Sequence, residues 1–231
     1  MIKAVFFDFF NTLVNYQPPR EQIYTRICSE YGIHVEPKAL SRPLMLSDMF
    51  WRDEERRSPI DKRTPQEQAA FWSEYIIRAF KGAGVEIGRD MALKILQEMK
   101  KIKWDFVTYD DTITTMAALK ERNLTLGLIS NAGKKMDNTY EELGLLKYLD
   151  HWITSFEVGY DKPQPEIFQA ALQKAQLKAV ETIYIGDQYD IDVVGARGVG
   201  MKAVLLDRND WFPEITDCIR INGLSELVNH I

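Results

Sequence analysis

The chain has 231 residues, of which 45% are hydrophobic and 27% charged, with a formal net charge of −5. That is the make-up of a folded globular protein with room for a core and an accessory domain; a chain this long buries roughly 70% of its unfolded surface and needs no staples. The acidic balance is spread along the sequence, which argues against a nucleic-acid binder with a concentrated basic face.

Residues 4–9 form an apolar run broken by Asp8 and read as a buried strand. Residues 18–103 hold no strand pattern. Helical patterns cover 20–31, 37–55, 65–81 and 89–103, punctuated by Gly32, Pro59 and Gly82-Ala83-Gly84. Residues 111–121 carry Ile113, Met116, Ala117 and Leu119 on one side, with Asp110 or Asp111 suited to cap that helix. Strands are expected at 124–130, 152–155, 182–186 and 202–206. Helices are expected at 165–175, opened by Pro165, and at 191–198 and 225–231. Strands alternating with helices imply a parallel sheet covered on both faces. The expected fold is therefore α/β, a Rossmann-like core of residues 1–17 and 104–231. An all-helical unit, residues 18–103, is inserted through linkers at 15–19 and 103–110.

In such a sheet, ligands bind beyond the carboxyl ends of the strands. Asp8 stands at the first of these ends. Alone it reads as a turn residue. Other strands also end in polar residues: Ser130-Asn131, Asp161-Lys162-Pro163 after the third strand, and Gly186-Asp187 followed by Asp190 and Asp192. Parallel strands would gather them on one edge. A carboxylate there can attack phosphorus. A magnesium ion held by hard oxygen ligands would offset its repulsion from an anionic substrate. Asp8, Asp187 and the main-chain carbonyl of Phe10 are candidate ligands. The Ser130 hydroxyl and a backbone N–H near Asn131 could hold phosphoryl oxygens, and Lys162 could neutralise developing charge. Each has a plain alternative: Ser130-Asn131 as a turn, Lys162 as a surface lysine, Asp190 as a helix cap, Thr12 as a partner of the local backbone.

The ordered set Asp8-Phe9-Phe10-Asn11-Thr12-Leu13, Ile129-Ser130-Asn131, Lys162-Pro163 with Pro165-Glu166-Ile167-Phe168, and Gly186-Asp187 through Asp192 to Gly195-Ala196 resembles the haloacid dehalogenase superfamily. Most of its members are phosphatases. The helical insertion lies where many of them carry a cap. The resemblance implies that Asp8 is the nucleophile and that Thr12 supports the loop after it. It implies that Ser130, Asn131, Lys162 and Thr12 form the phosphate-binding set. Asp187 would ligate magnesium, and Asp192 would do so directly or through water.

The chain departs from the phosphatase pattern at Phe10. The family's phosphatases usually carry there an aspartate that protonates the leaving group. General acid–base catalysis contributes about 100- to 10,000-fold, so the chain is expected to favour good leaving groups. Asn11 does not titrate and cannot substitute. Two alternatives stay open. One is a metal-free 2-haloacid dehalogenase; Arg42 lies in the region of the arginine it would need, and Asp187, Asp190 and Asp192 speak against it, since grouped carboxylates repel without a cation. The other is a weakly active binding or regulatory member.

Tyr16 and Arg20, near the hinge, are candidate pocket residues. His34, His151 and His230 show no pairing. Phe50, Trp51, Phe71 and Trp72 are expected to pack inside the helical unit. Cys28 and Cys218 are isolated, as in a reducing compartment. No apolar stretch reaches the ~20 residues of a membrane span, and the N-terminus does not resemble a secretion signal. The expected protein is cytoplasmic, a monomer or homodimer that acts on a small phosphorylated molecule, without nucleic acid or membrane.

Overall fold

The computed structural model describes residues 1–132 and 136–231. In chain order, β1 (Ala4–Phe7) and β2 (Val14–Gln17) lead to four helices, α1 (Arg20–Ser29), α2 (Pro37–Arg57), α3 (Pro65–Gly82) and α4 (Arg89–Met99). Then come β3 (Asp105–Thr108), α5 (Thr112–Glu121), β4 (Thr125–Ser130), α6 (Asp137–Glu142), β5 (His151–Thr154), α7 (Ser155–Val158) and α8 (Pro165–Ala175). The chain finishes with β6 (Thr182–Gly186), α9 (Val194–Gly198), β7 (Lys202–Leu206) and β8 (Ile219–Ile221). It divides into two compact units, Met1–Asn15 with Phe106–Ile231, and Tyr16–Asp105.

In the first unit six strands pair in the order β5-β4-β1-β6-β7-β8, all parallel. β1 is central because its four residues are apolar on both faces and fully buried. Val5 and Phe7 join Leu126, Leu128, Ile183 and Ile185 on one face. Ala4 and Phe6 join Ile129, Tyr184 and Phe168 on the other. Gly127 makes room for this: a Cβ there would lie 2.3 Å from the Phe6 ring. The register pairs Phe7 with both Leu128 and Ile185, so the carboxyl ends of β1, β4 and β6 lie within two residues of one another. These ends share one edge, and the strand order turns at β1, with β4 and β5 on one side and β6, β7 and β8 on the other. That is where an open α/β sheet forms a crevice.

The second unit is a helical bundle around Ile23, Ile27, Leu40, Leu44, Ile76, Phe80 and Ile95. α3 opens with a reciprocal cap between Thr64 and Glu67 and with Pro65 in its first turn. Among the described residues, no helix is long and apolar enough to cross a membrane.

Several expectations are corrected. The stretches expected as linkers contain β2 and β3, which pair as a two-stranded sheet. Four residues each are too few for alternation to stand out. β8, only three residues long, was missed for the same reason; it completes the edge beside β7, with Ile221 opposite Leu206. The helix expected at 191–198 begins as a wider π turn, Tyr189–Val193, before α9. The last helix is a 3-10 segment, Leu224–Asn229. Asp111 does not cap α5 with its side chain. Its carboxylate instead takes two hydrogen bonds from Arg208, at 2.9 Å each, and one from the Leu224 amide at 2.7 Å.

Candidate active site

The shared edge brings Asp8, Ser130, Lys162, Asp187 and Asp192 from four chain segments into the first unit. Asp8 continues β1, its amide donating to the Ile185 carbonyl at 2.8 Å. Lys162 lies in the loop between α7 and α8 and is only 3% exposed. A buried ammonium needs several acceptors, and it has them. Nζ donates to Asp8 Oδ1 at 2.6 Å, to Asp192 Oδ1 at 2.7 Å and to the Tyr184 hydroxyl at 2.8 Å. The Lys162 main chain is held as well. Its N–H donates to Asn131 Oδ1 at 2.7 Å and its carbonyl accepts from Asn131 Nδ2 at 3.1 Å. The Asn131 side chain is thus a clamp on Lys162.

Thr12, fully buried, donates from Oγ1 to Asp8 Oδ2 at 3.3 Å. It steadies the nucleophile candidate itself. Ser130 closes β4 and is buried at the same edge. Asp192 is fully buried on the π turn. Its Oδ1 also accepts from Tyr184 at 2.9 Å, and its Oδ2 accepts from the Gln188 amide at 3.0 Å.

Asp8, Asp187 and Asp192 each offer a carboxylate oxygen within 4.8 Å of the others. Lys162 pairs with Asp8 and Asp192. Among the described residues three carboxylates face one ammonium, so two negative charges stay uncompensated there if all are ionised. The titration of the group follows. Burial pushes the Asp8 carboxyl up to about 6, helped by Asp192 and opposed by Lys162. Burial, then Asp8 and Asp192, raise Asp187 well above the usual carboxylate range. Burial works against the Lys162 charge, but Asp192 and Asp8 outweigh it and raise its pKa.

The donor set fits a hard divalent cation. Asp187 is the acid of the three that Lys162 does not reach, and its Oδ1 is buried with no hydrogen-bond partner among the described residues. Such an oxygen is costly unless an ion or a proton meets it. The Phe10 ring packs edge-on near Phe106, with centroids 6.4 Å apart. It offers hydrocarbon where the resemblance leads one to look for an acid.

Asp190 is exposed and outside the three-acid group. Tyr16 and Arg20 belong to the helical unit. There Arg20 makes a two-pronged pair with Asp48, at 2.7 and 3.0 Å, and Tyr16 packs on Trp104 with centroids 5.0 Å apart. Arg20 thereby ties α1 to α2.

Two contributors were missed. Tyr184, mid-strand in β6, reads as core, yet a buried tyrosine hydroxyl needs a partner, and that need was the available signal. Asn11, considered only as a group that does not titrate, donates from Nδ2 to Asp187 Oδ2 at 3.2 Å.

The chain is 28% identical over 213 residues to haloacid dehalogenase-like hydrolase domain-containing protein 3 of Homo sapiens, covering 89% of this chain and 82% of that protein. It is 36% identical over 129 residues to a glyceraldehyde 3-phosphate phosphatase of Methanocaldococcus jannaschii, a match spanning 52% of this chain and 55% of the relative. The structure of a HAD phosphatase from Thermococcus onnurineus superposes with a TM-score of 0.58 at 26% identity, covering 99% of this chain and 97% of the other. The model of the haloacid dehalogenase-like hydrolases matches residues 2–200, and the chain belongs to that family of hydrolases.

Proposed function

We propose that the protein is a magnesium-dependent phosphatase in which Asp8 attacks phosphorus, and that it favours substrates with good leaving groups. The observation that carries this reading is the Lys162 ammonium bridging Asp8 and Asp192, with Asp187 beside them in no ion pair among the described residues. Relatives named as phosphatases support it at partial coverage.

Asp187, Asp8 and the Phe10 carbonyl would hold the magnesium ion, which when bound would neutralise charge on the carboxylates and on an anionic substrate. Both oxygens of Asp192 already accept hydrogen bonds, which suits it to holding Lys162 and to acting on the ion through water. An Asp8 oxygen forms the bond to phosphorus as the bond to the leaving-group oxygen breaks. Lys162 and Ser130 take the phosphoryl oxygens. Water then attacks the aspartyl phosphate, releasing inorganic phosphate and restoring the carboxylate. Thr12 keeps the Asp8 rotamer fixed throughout. Phe10 donates no proton, so the leaving group departs as its anion, and only a weakly basic one departs readily. The helical unit is proposed to act as the cap that excludes water during attack.

The dehalogenase reading is less suited to this site. It would leave the buried Asp187 oxygen without a counter-charge among the described residues. Turnover of p-nitrophenyl phosphate with magnesium, lost in chelator and in Asp8→Asn, is the expected result. Halide release from 2-chloropropionate in chelator would favour the dehalogenase instead.

A further inference from the structure

We propose that Asn11 positions the Asp187 carboxylate for the cation by occupying its Oδ2 and leaving Oδ1 to the ion; this rests on the magnesium reading above. Asn11 has φ +60°, the left-handed region that glycine and asparagine tolerate best. Its amide N–H donates to the Val14 carbonyl at 2.7 Å, closing the turn that follows Asp8. A glycine would serve that turn as well. The side chain does something the turn does not need: Nδ2 reaches Asp187, 176 residues away, and donates to Oδ2 at 3.2 Å.

The two oxygens of Asp187 are thereby made unequal. Oδ2 is satisfied by Asn11, while Oδ1 is buried and unpartnered among the described residues. The chemistry of the donor matters. Lys162 already pairs with Asp8 and Asp192. A second ammonium against Asp187 would compete with a cation for the same charge. A neutral amide fixes the rotamer and leaves the full carboxylate charge available. Outer-shell partners of this kind orient metal-binding carboxylates, and their loss costs about 10- to 100-fold in metal affinity or activity.

The experiment compares wild type, Asn11→Gly and Asn11→Ala. Magnesium affinity is measured by calorimetric titration without substrate, and thermal unfolding is followed in chelator. Asn11→Gly keeps the turn and should unfold only slightly earlier than wild type, from the lost Oδ2 hydrogen bond, yet bind magnesium about 10-fold more weakly. Asn11→Ala should lose the same affinity and unfold earlier still, because alanine is strained at this φ. In wild type, the Asn11 side-chain amide signals in nitrogen-resolved NMR should shift on magnesium addition. Wild-type affinity in Asn11→Gly, or amide signals that do not move at saturation, would overturn the inference alone. A wild type that binds no magnesium would overturn the magnesium reading and this inference with it.

Discussion

Gly186 and Asp192 share a space that only a glycine leaves open: a Cβ at position 186 would lie 2.3 Å from Cγ of Asp192. The strand end and the π turn are therefore matched parts, one bare so that the other can reach Lys162. Gly186→Ala should push Asp192 off Lys162. Overpacking of this kind costs about 1–3 kcal/mol, and turnover should fall far more than stability alone explains. Denaturant unfolding and p-nitrophenyl phosphate turnover, measured side by side, check both halves.

Lys162 is the hub of the buried charges, and its removal should be felt in the fold as well as in catalysis. Breaking a buried pair by deleting one partner costs about 3–5 kcal/mol. Lys162→Met should lose stability on that scale at neutral pH. A Lys162→Met protein as stable as wild type would mean the ammonium contributes little to holding the acids together.

Phe10 makes a prediction about substrates. Without a proton donor at that position, kcat/KM should fall steeply as the leaving-group pKa rises from aryl to alkyl phosphates. The general-acid contribution at stake is about 100- to 10,000-fold. A flat dependence across the series would reveal a proton donor on another residue.

Asp111 carries an acid-side prediction away from the site. Partial burial raises its pKa, but the Arg208 hydrogen bonds and charge and the Leu224 amide outweigh that and hold it below the ordinary 3.8. A depressed carboxylate stabilises the fold above its unfolded pKa, and that stability is lost as pH falls through the folded value. Asp111→Asn should therefore cost about 2 kcal/mol at neutral pH, as for a hydrogen bond to a charged group. The gap to wild type should stay constant down to the ordinary carboxylate value and close below it. Urea unfolding across that range tests the sign.

The α/β architecture was legible because the sheet's inner strands are continuous apolar runs flanked by turn residues, as in β1 and β6. Short elements were not: β2, β3 and β8 are three or four residues long, too brief for a period of two to register. At the site, residue types and their order pointed to the right edge of the sheet, and the structure brings Asp8, Asp187, Asp192 and Lys162 together there. What could not be read was pairing over long separations. Lys162 meets Asp8 across 154 positions, and nothing local distinguishes it from a surface lysine. Tyr184 hid inside an apolar strand. The Asn131 side chain holds the Lys162 backbone across 31 positions, a pairing that no local pattern announces.

The central claim is that Asp8 attacks phosphorus when magnesium is bound. Its most direct measurement is rapid acid quench of the enzyme during turnover of p-nitrophenyl phosphate, followed by mass analysis of the peptide that carries Asp8. The account predicts one added phosphoryl group on Asp8 with magnesium present, absent in chelator and in Asp8→Asn. Sustained magnesium-dependent turnover in Asp8→Asn, or undiminished turnover in chelator, would contradict it.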